Sequence, residues 1–112
     1  MKATSIVVPV TDLDAACAFY RDALNLTLKF RDGNRYCAFD LGGFGLALVA
    51  GEERIIDEPA LTVKVEKLGA AVASLQIRGA AIVQPAERGP HEHRAVLRAP
   101  GGALCVLSAP EA

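Results

Sequence analysis

Hydrophobic and polar positions along this chain follow two different periods, and the switches between them mark out its elements. From Ala3 to Val10 the residues are mostly apolar and partly β-branched, as in a strand with a buried face. Thr11-Asp12-Leu13-Asp14 reads as a helix start: a Thr or Asp oxygen accepts from the first free backbone N–H groups, and the acids sit at the positive end of the helix dipole. Leu13, Ala16, Cys17, Tyr20 and Leu24 recur at helical spacing, which predicts an amphipathic helix from Asp12 to about Ala23. Period two returns with Leu26, Leu28 and Phe30, interleaved with Thr27, Lys29 and Arg31. Asp32-Gly33 supplies a tight hairpin turn, and the return strand runs from about Arg35 to Leu41. Gly42-Gly43 is a second turn, and Phe44 to Ala50 is a short apolar strand.

After a polar connector, Gly51 to Pro59, the same order begins again. Ala60 to Val65 is strand-like. Glu66 to Arg78 is helix-like, with Leu68, Ala71, Val72 and Leu75 on one stripe and Gly79 as its stop. Ala81 to Val83 reads as a short strand and Pro85 to Pro90 as a loop. Glu92 to Ala99 and Ala103 to Ser108 are two strands on either side of Gly101-Gly102. The chain is therefore βαβββ twice over, and sliding it along itself supports the repeat. At an offset of 55, Val8, Val10, Leu13, Ala15, Ala16 and Ala18 fall on Val63, Val65, Leu68, Ala70, Ala71 and Ala73. At an offset of 59, Gly42-Gly43 falls on Gly101-Gly102, and Leu48 and Ala50 fall on Leu107 and Ala109. The expected organisation is one domain over residues 1–112, with modules at about 1–50 and 60–109 joined by the connector at 51–59.

Composition narrows the function. The 112 residues are 52% hydrophobic, and 12 basic against 13 acidic side chains leave a net charge of -1. That excludes disorder, which needs low hydrophobicity and high net charge. It also excludes a nucleic-acid binder working by phosphate neutralisation, which needs a basic surplus. No apolar run approaches the roughly 18 to 20 residues that cross a bilayer, and Met1-Lys2-Ala3-Thr4 leads straight into a strand, so no membrane partner and a cytoplasmic setting are expected. With 5% aromatic residues and no tryptophan, a small-molecule site here has few aromatic walls. Cys17, Cys37 and Cys105 form an odd set without a CxxC pair, suited neither to a zinc ribbon nor to a disulfide framework, and they read as reduced, buried structural thiols. Gly42-Gly43-Phe44-Gly45 lacks the spacing of a phosphate-cradling loop, and Asp40 before it reads as turn chemistry.

Val10-Thr11-Asp12-Leu13-Asp14, followed by Phe19-Tyr20-Arg21-Asp22-Ala23-Leu24-Asn25-Leu26, resembles the vicinal oxygen chelate superfamily, the group of glyoxalases, extradiol dioxygenases, fosfomycin-resistance and bleomycin-resistance proteins. Asn25 stands where that family usually has glycine. Ala99-Pro100-Gly101-Gly102 is similar to the family's Asp-Pro-x-Gly mark without its aspartate. The resemblance implies an α+β fold in which two βαβββ modules form a concave half-barrel with helices on the convex side. A ferredoxin-like regulatory module is the rival fold, and it leaves Phe44 to Ala50 without a role.

Alternation then assigns faces. Ile6, Val8, Val10, Leu61, Val63 and Val65 are expected to face the helices. The concave wall is expected to carry Ser5, Val7, Thr62 and Lys64 from the first strands, and Gly45, Ala47, Val49, Leu104, Val106 and Ser108 from the last. In the family, metal ligands occupy positions that fall here on Ser5, Ala47, Ala60 and Val106, none a competent donor beyond a weak hydroxyl, so no metal and no cofactor are expected. His91 and His93 are a candidate displaced pair, one that on an extended strand would share a face, although as loop residues at the start of a strand they need no such role. Arg35, Cys37 and Phe39 share parity with Arg94, Val96 and Arg98, and arginines on the wall favour a carboxylate, phosphate or other anion. The expected ligand-binding set is thus Ser5, Arg35, Cys37, Phe39, Thr62, Arg94, Val96, Arg98 and Val106. Tyr20 and Tyr36 are further contact candidates, Tyr20 by spacing a core residue.

The function expected from these features is a metal-free small-molecule-binding protein resembling the bleomycin-resistance type of sequestering protein, acting as a homodimer on an anionic ligand. The alternative is a glyoxalase-like lyase, isomerase or dioxygenase that uses displaced ligands such as His91 and His93, or metal-independent acid–base catalysis.

Overall fold

The computed structural model describes residues 1–110 and contains eight strands and two α-helices. The first module runs β1 (Lys2–Pro9), α1 (Leu13–Ala18), a π-helical turn (Phe19–Ala23), β2 (Thr27–Asp32), β3 (Tyr36–Asp40) and β4 (Gly45–Val49). A 3₁₀ turn at Gly51–Glu53 opens the connector. The second module runs β5 (Ala60–Lys64), α2 (Leu68–Ile77), β6 (Ala81–Arg88), β7 (His93–Arg98) and β8 (Leu104–Ala109). The α+β architecture of two βαβββ modules is the one expected. The chain divides into two compact units, Ser5–Pro59 and a second in which Met1–Thr4 joins the chain from Ala60 onward. Among the described residues no helix is long and apolar enough to cross a membrane.

Each module has the same open sheet. In the first, β1 pairs parallel with β4 (Ser5 opposite Gly45, Val7 opposite Ala47), and β3 lies antiparallel between β4 and β2. In the second, β5 pairs parallel with β8 (Thr62 opposite Val106), and β7 lies antiparallel between β8 and β6. The segment that a ferredoxin-like module leaves idle is therefore β4, hydrogen-bonded on both sides, and that rival is excluded. Equivalent bonds close both crossovers: Val10 N–H donates to the Val49 carbonyl at 2.9 Å, and Val65 N–H donates to the Ser108 carbonyl at 2.8 Å.

Local chemistry explains the helix boundaries. Asp12 caps α1 by accepting from the Ala15 N–H at 3.1 Å. The segment expected as one helix to Ala23 is α-helical only to Ala18 and continues as the π turn, which ends where Asn25 takes a φ of +57°. Asparagine is among the few residues with a side chain that visit this left-handed conformation, so it serves at the position where the resemblance leads one to expect glycine. Gly79, with a φ of +104°, ends α2 as expected. Asp40 accepts from the N–H groups of Gly42 and Gly43 at 2.9 and 3.2 Å, the turn role assigned to it, and these bonds to the ionised carboxylate hold its pKa below the ordinary value.

Two expectations fail. The first strand of the β6–β7 pair does not stop at Val83 but continues through Pro85 to Arg88. Proline is tolerated because β6 is paired on one side only, so no ladder bond needs its missing N–H, and two register shifts absorb the irregularity. The cysteines are not all reduced: Cys17 of α1 and Cys37 of β3 form a disulfide, and Cys105 alone is free. The helical stripe carries Cys17 onto β3, a proximity that spacing along the chain does not reveal.

Each helix covers one face of its own sheet. Leu13 and Cys17 of α1 pack on Cys37, Phe39, Leu46 and Leu48, with Val8, Val10 and Tyr20 at the margin. In the second module Leu68, Ala71 and Val72 of α2 pack on Ala95, Leu97, Leu107 and Ala109, with Val63 and Val65 joining them. The assignment of Val8, Val10, Val63 and Val65 to the helix side thus holds. Ile6 and Leu61, at the exposed starts of the same rows, remain accessible.

Candidate functional site

With the helix faces fixed, the opposite faces follow from register. In the second module that face carries Ala60, Thr62 and Lys64 from β5, Leu104, Val106 and Ser108 from β8, and Arg94, Val96 and Arg98 from β7. Five of the expected ligand residues, Thr62, Arg94, Val96, Arg98 and Val106, are thereby brought onto one surface. Thr62, Val106 and Val96 stand in one row across three strands, and Lys64, Ser108 and Arg94 stand in the next. Gln84 and Glu87 of β6 extend these two rows, opposite Val96 and Arg94. Val96 is 0% exposed and Val106, Leu104 and Ala60 are buried, so the apolar part of this wall is shielded from water.

Two polar groups interrupt it. The Thr62 hydroxyl oxygen and the Arg94 Nε are buried without a hydrogen-bond partner. The Arg94 side chain is 14% exposed and forms an ion pair with Glu87, whose Oε1 lies 3.7 Å from Nε, beyond hydrogen-bond reach. Gly89, in the loop after β6, lies beside this arginine: a Cβ there would meet the Glu92 carbonyl oxygen at 3.0 Å and the Arg94 Cδ and Nε at 3.1 Å.

The remaining expected residues are placed differently. Arg98 shares the face, but its Nη1 donates to the Gly102 carbonyl at 2.6 Å, which ties the guanidinium to the turn. Ser5 lies opposite Gly45 on the face of the first sheet away from α1. Arg35 precedes β3 at the exposed hairpin, where its Nη2 and Nε donate to the Asp32 carboxylate at 3.0 and 3.1 Å and the pairing raises its pKa. Cys37 and Phe39 belong to no wall at all. Both point at α1, Cys37 into the disulfide and Phe39 against the Tyr20 ring at 6.0 Å.

The physical reason is a phase change between the copies. Cys37 pairs with Leu48, and Ala95 pairs with Leu107, so β4 and β8 correspond at an offset of 59 while β3 and β7 correspond at 58. One extra residue in the second turn, Ala99 to Ala103, absorbs the difference. A slip of one residue reverses every side chain of a strand, so the parity shared by Cys37 with Val96 does not survive. The residues that do face away from α1 on β3 are Tyr36 and Ala38, and the Tyr36 ring lies 6.2 Å from Phe30 of β2. Sequence reading also missed Gln84, Glu87 and Gly89, because Pro85 read as the end of a strand. The alternation of Ile82 and Gln84 was the available signal, masked by the bulge between them.

The family's metal positions form matched pairs. Register places Ser5 and Ala47 on one face of the first sheet, and Ala60 and Val106 on the corresponding face of the second. Their side chains offer one hydroxyl and three hydrocarbon groups, which do not fit a divalent ion. Nor do the histidines supply a substitute, since His91 lies in the loop and only His93 is in β7, opposite Ala109 on the helix side. Among the described residues no three His, Cys, Asp or Glu side chains gather as a metal-binding group. A separate groove of about 570 Å³ runs beside the start of α2, lined by Lys2, Lys64, Glu66, Lys67 and Ser74 among others, and shares only Lys64 with the face described.

Residues 2–107 match the model of the Glyoxalase/Bleomycin resistance protein/Dioxygenase superfamily, and the chain belongs to that superfamily. It is 32% identical over 93 residues to an uncharacterized protein of Mycolicibacterium smegmatis, a match spanning 82% of this chain and 79% of the relative. Among solved structures it is similar to one described as an NAD-dependent benzaldehyde dehydrogenase from Legionella pneumophila, with a TM-score of 0.81 at 16% identity, covering 96% of this chain and 98% of that one. It is also similar to methylmalonyl-CoA epimerase from Mycobacterium tuberculosis, with a TM-score of 0.66 at 22% identity over 99% and 89% of the two chains. At such identities these likenesses establish the fold.

Proposed function

We propose that this protein binds a small organic molecule without a resident metal, on the face of the second sheet turned away from α2. One observation carries the reading: Thr62 Oγ1 and Arg94 Nε are withdrawn from water on an apolar wall, and neither has a hydrogen-bond partner, Glu87 standing only at ion-pair distance from the arginine. A buried polar group left unpaired costs about 1–3 kcal/mol, so such a pair calls for a ligand or bound water that completes it. The donor-poor set Ser5, Ala47, Ala60 and Val106 supports binding rather than metal-centred chelate chemistry. The protein acts as a homodimer in this reading, supported by exposed apolar side chains on the outer strand β2, where Phe30 is 56% accessible.

A thermal-shift screen of divalent metals, organic acids and neutral organic compounds tests the reading, because a ligand that binds only the folded state stabilises it by mass action. Stabilisation by an organic compound that perturbs amides of β5, β7 and β8 is the expected result. Stoichiometric Zn, Ni, Mn or Fe in the purified protein, lost when His91 and His93 are both replaced, overturns it. Sedimentation velocity checks the dimer.

A further inference from the structure

Resting on the homodimer reading, we infer that two copies of this chain meet through opposite charges, the turn at Gly51–Glu53 of each entering the lysine-rimmed groove beside α2 of the other. The charge of the chain is near zero only in sum. Ser5–Pro59 carries nine acidic and five basic side chains, a net charge of -4, whereas Met1–Thr4 with Ala60 onward carries four acidic and seven basic ones, a net charge of +3. In the first unit each of the four arginines is paired with an aspartate of the same unit. Asp12 and Asp40 are occupied by backbone N–H groups. The carboxylates of Glu52 and Glu53 have no hydrogen bond or ion pair among the described residues, and Arg35, whose charge they feel, is already bonded to Asp32 through Nε and Nη2. The unanswered negative charge of this unit thus gathers on the turn that opens the connector.

In the second unit the unanswered positive charge gathers along the groove of about 570 Å³, all of whose lining residues belong to that unit. Lys2 comes from β1, Lys64 from the end of β5 and Lys67 from the cap position of α2; all three are exposed and have no hydrogen bond or ion pair among the described residues. Glu66 is the one carboxylate among the lining residues. Converging ammonium groups repel one another, so the groove is short of negative charge. Two neighbouring carboxylates on a compact turn supply it, and lysine's flexible stems adjust to them. A two-fold axis makes the contact twice, because each copy brings one turn and one groove. Like unit against like unit would set charges of the same sign together, which the pairing avoids. Single exposed ion pairs contribute little, so the charges orient the encounter and select the arrangement while apolar contact holds it. Val65 and Ala71, both buried and both lining the groove, give the entering turn such a surface.

The test is sedimentation velocity on the full chain and on two charge-reversed variants, Glu52→Lys with Glu53→Lys and Lys64→Glu with Lys67→Glu. The parent dimer is expected to weaken as ionic strength rises from about 0.01 to about 1 M, which shortens the screening length from about 30 to about 3 Å. Each variant alone should self-associate at least about tenfold more weakly than the parent at low ionic strength, because it sets like charges together at both contacts. An equimolar mixture of the two should recover the parent's affinity: the reversed turn of one meets the reversed groove of the other, and the unaltered turn and groove meet as before. Should a variant fail to fold, the salt response of the parent chain decides the question. A Lys64→Glu, Lys67→Glu variant that pairs as the parent does assigns the groove to another occupant and overturns the contact. A dimer indifferent to ionic strength, or a mixture no tighter than its components, likewise overturns it and leaves the homodimer reading standing. A parent chain that stays monomeric at low ionic strength up to its solubility overturns both.

Discussion

Cys17 of α1 and Cys37 of β3, separated by 20 positions in the chain, are joined by a disulfide beneath the first helix. Closing a loop of that size restricts the unfolded chain and stabilises the fold by about 3 kcal/mol in the chain-entropy account. Replacing both cysteines by serine, or reducing the protein, is expected to lower the melting temperature by roughly 10 °C or more. Thiol titration under native, non-reducing conditions should count one thiol, Cys105, and three after reduction. A glutathione-buffered compartment opposes such a bond, so the mass of protein taken from alkylated cells shows which form is present there.

Asp12 holds the first turn of α1 through its bond to the Ala15 N–H. Asp12→Ala should cost about 1 kcal/mol, read as a shifted urea midpoint with an unchanged slope, and Asp12→Asn, which keeps the acceptor, should cost much less.

Asp40 gives the turn before β4 a pH dependence. The Gly42 and Gly43 N–H groups depress its folded pKa below the ordinary 3.8, so the stabilisation is present above that value and is lost as pH falls through the folded pKa. Melting temperature followed downward from pH 6 should fall in the acid range for the native chain and fall less for Asp40→Asn, which still accepts a hydrogen bond but carries no charge to neutralise.

Two glycines, one within α2 and one just after it, carry opposite expectations. Gly69 lies within the helix, and an added Cβ would meet nothing within 4 Å, so Gly69→Ala should stabilise by about 0.5–1 kcal/mol. Gly79 holds a φ of +104° with Pro100 Cγ 3.3 Å from where a Cβ would stand, and Gly79→Ala should destabilise by about 1–2 kcal/mol. Chemical denaturation of the two variants beside the parent chain checks both signs.

The elements, their order and the doubled module were legible because period two, period 3.6 and the paired glycine turns are all local signals. Val8, Val10, Val63 and Val65 were assigned to the right side for the same reason. Cys37 and Phe39 were not, since their facing depends on a single residue's difference between two turns, and an alignment anchored on the glycines carries that error into β3 without any local contradiction. Pro85 misled in a different way: a ring that ends an inner strand is harmless on an outer one, and position in the sheet is a property of pairing rather than of sequence. Arg94 and Thr62 share the face that their alternation predicted, but that their polar atoms make no hydrogen bond there depends on where Glu87 stands, and Glu87 became visible only once β6 extended past its proline.

The outermost strands, β2 and β6, differ in what they would allow a neighbouring chain to do. Each is paired on one side only, but β6 carries Pro85, which has no N–H to offer a further strand, whereas β2 offers Leu28 and Phe30 on a strand without proline. A fibre grows by adding copies at both ends and so needs two open hydrogen-bonding rails. With one rail interrupted, any edge pairing through β2 would end at two copies rather than lead on to polymer.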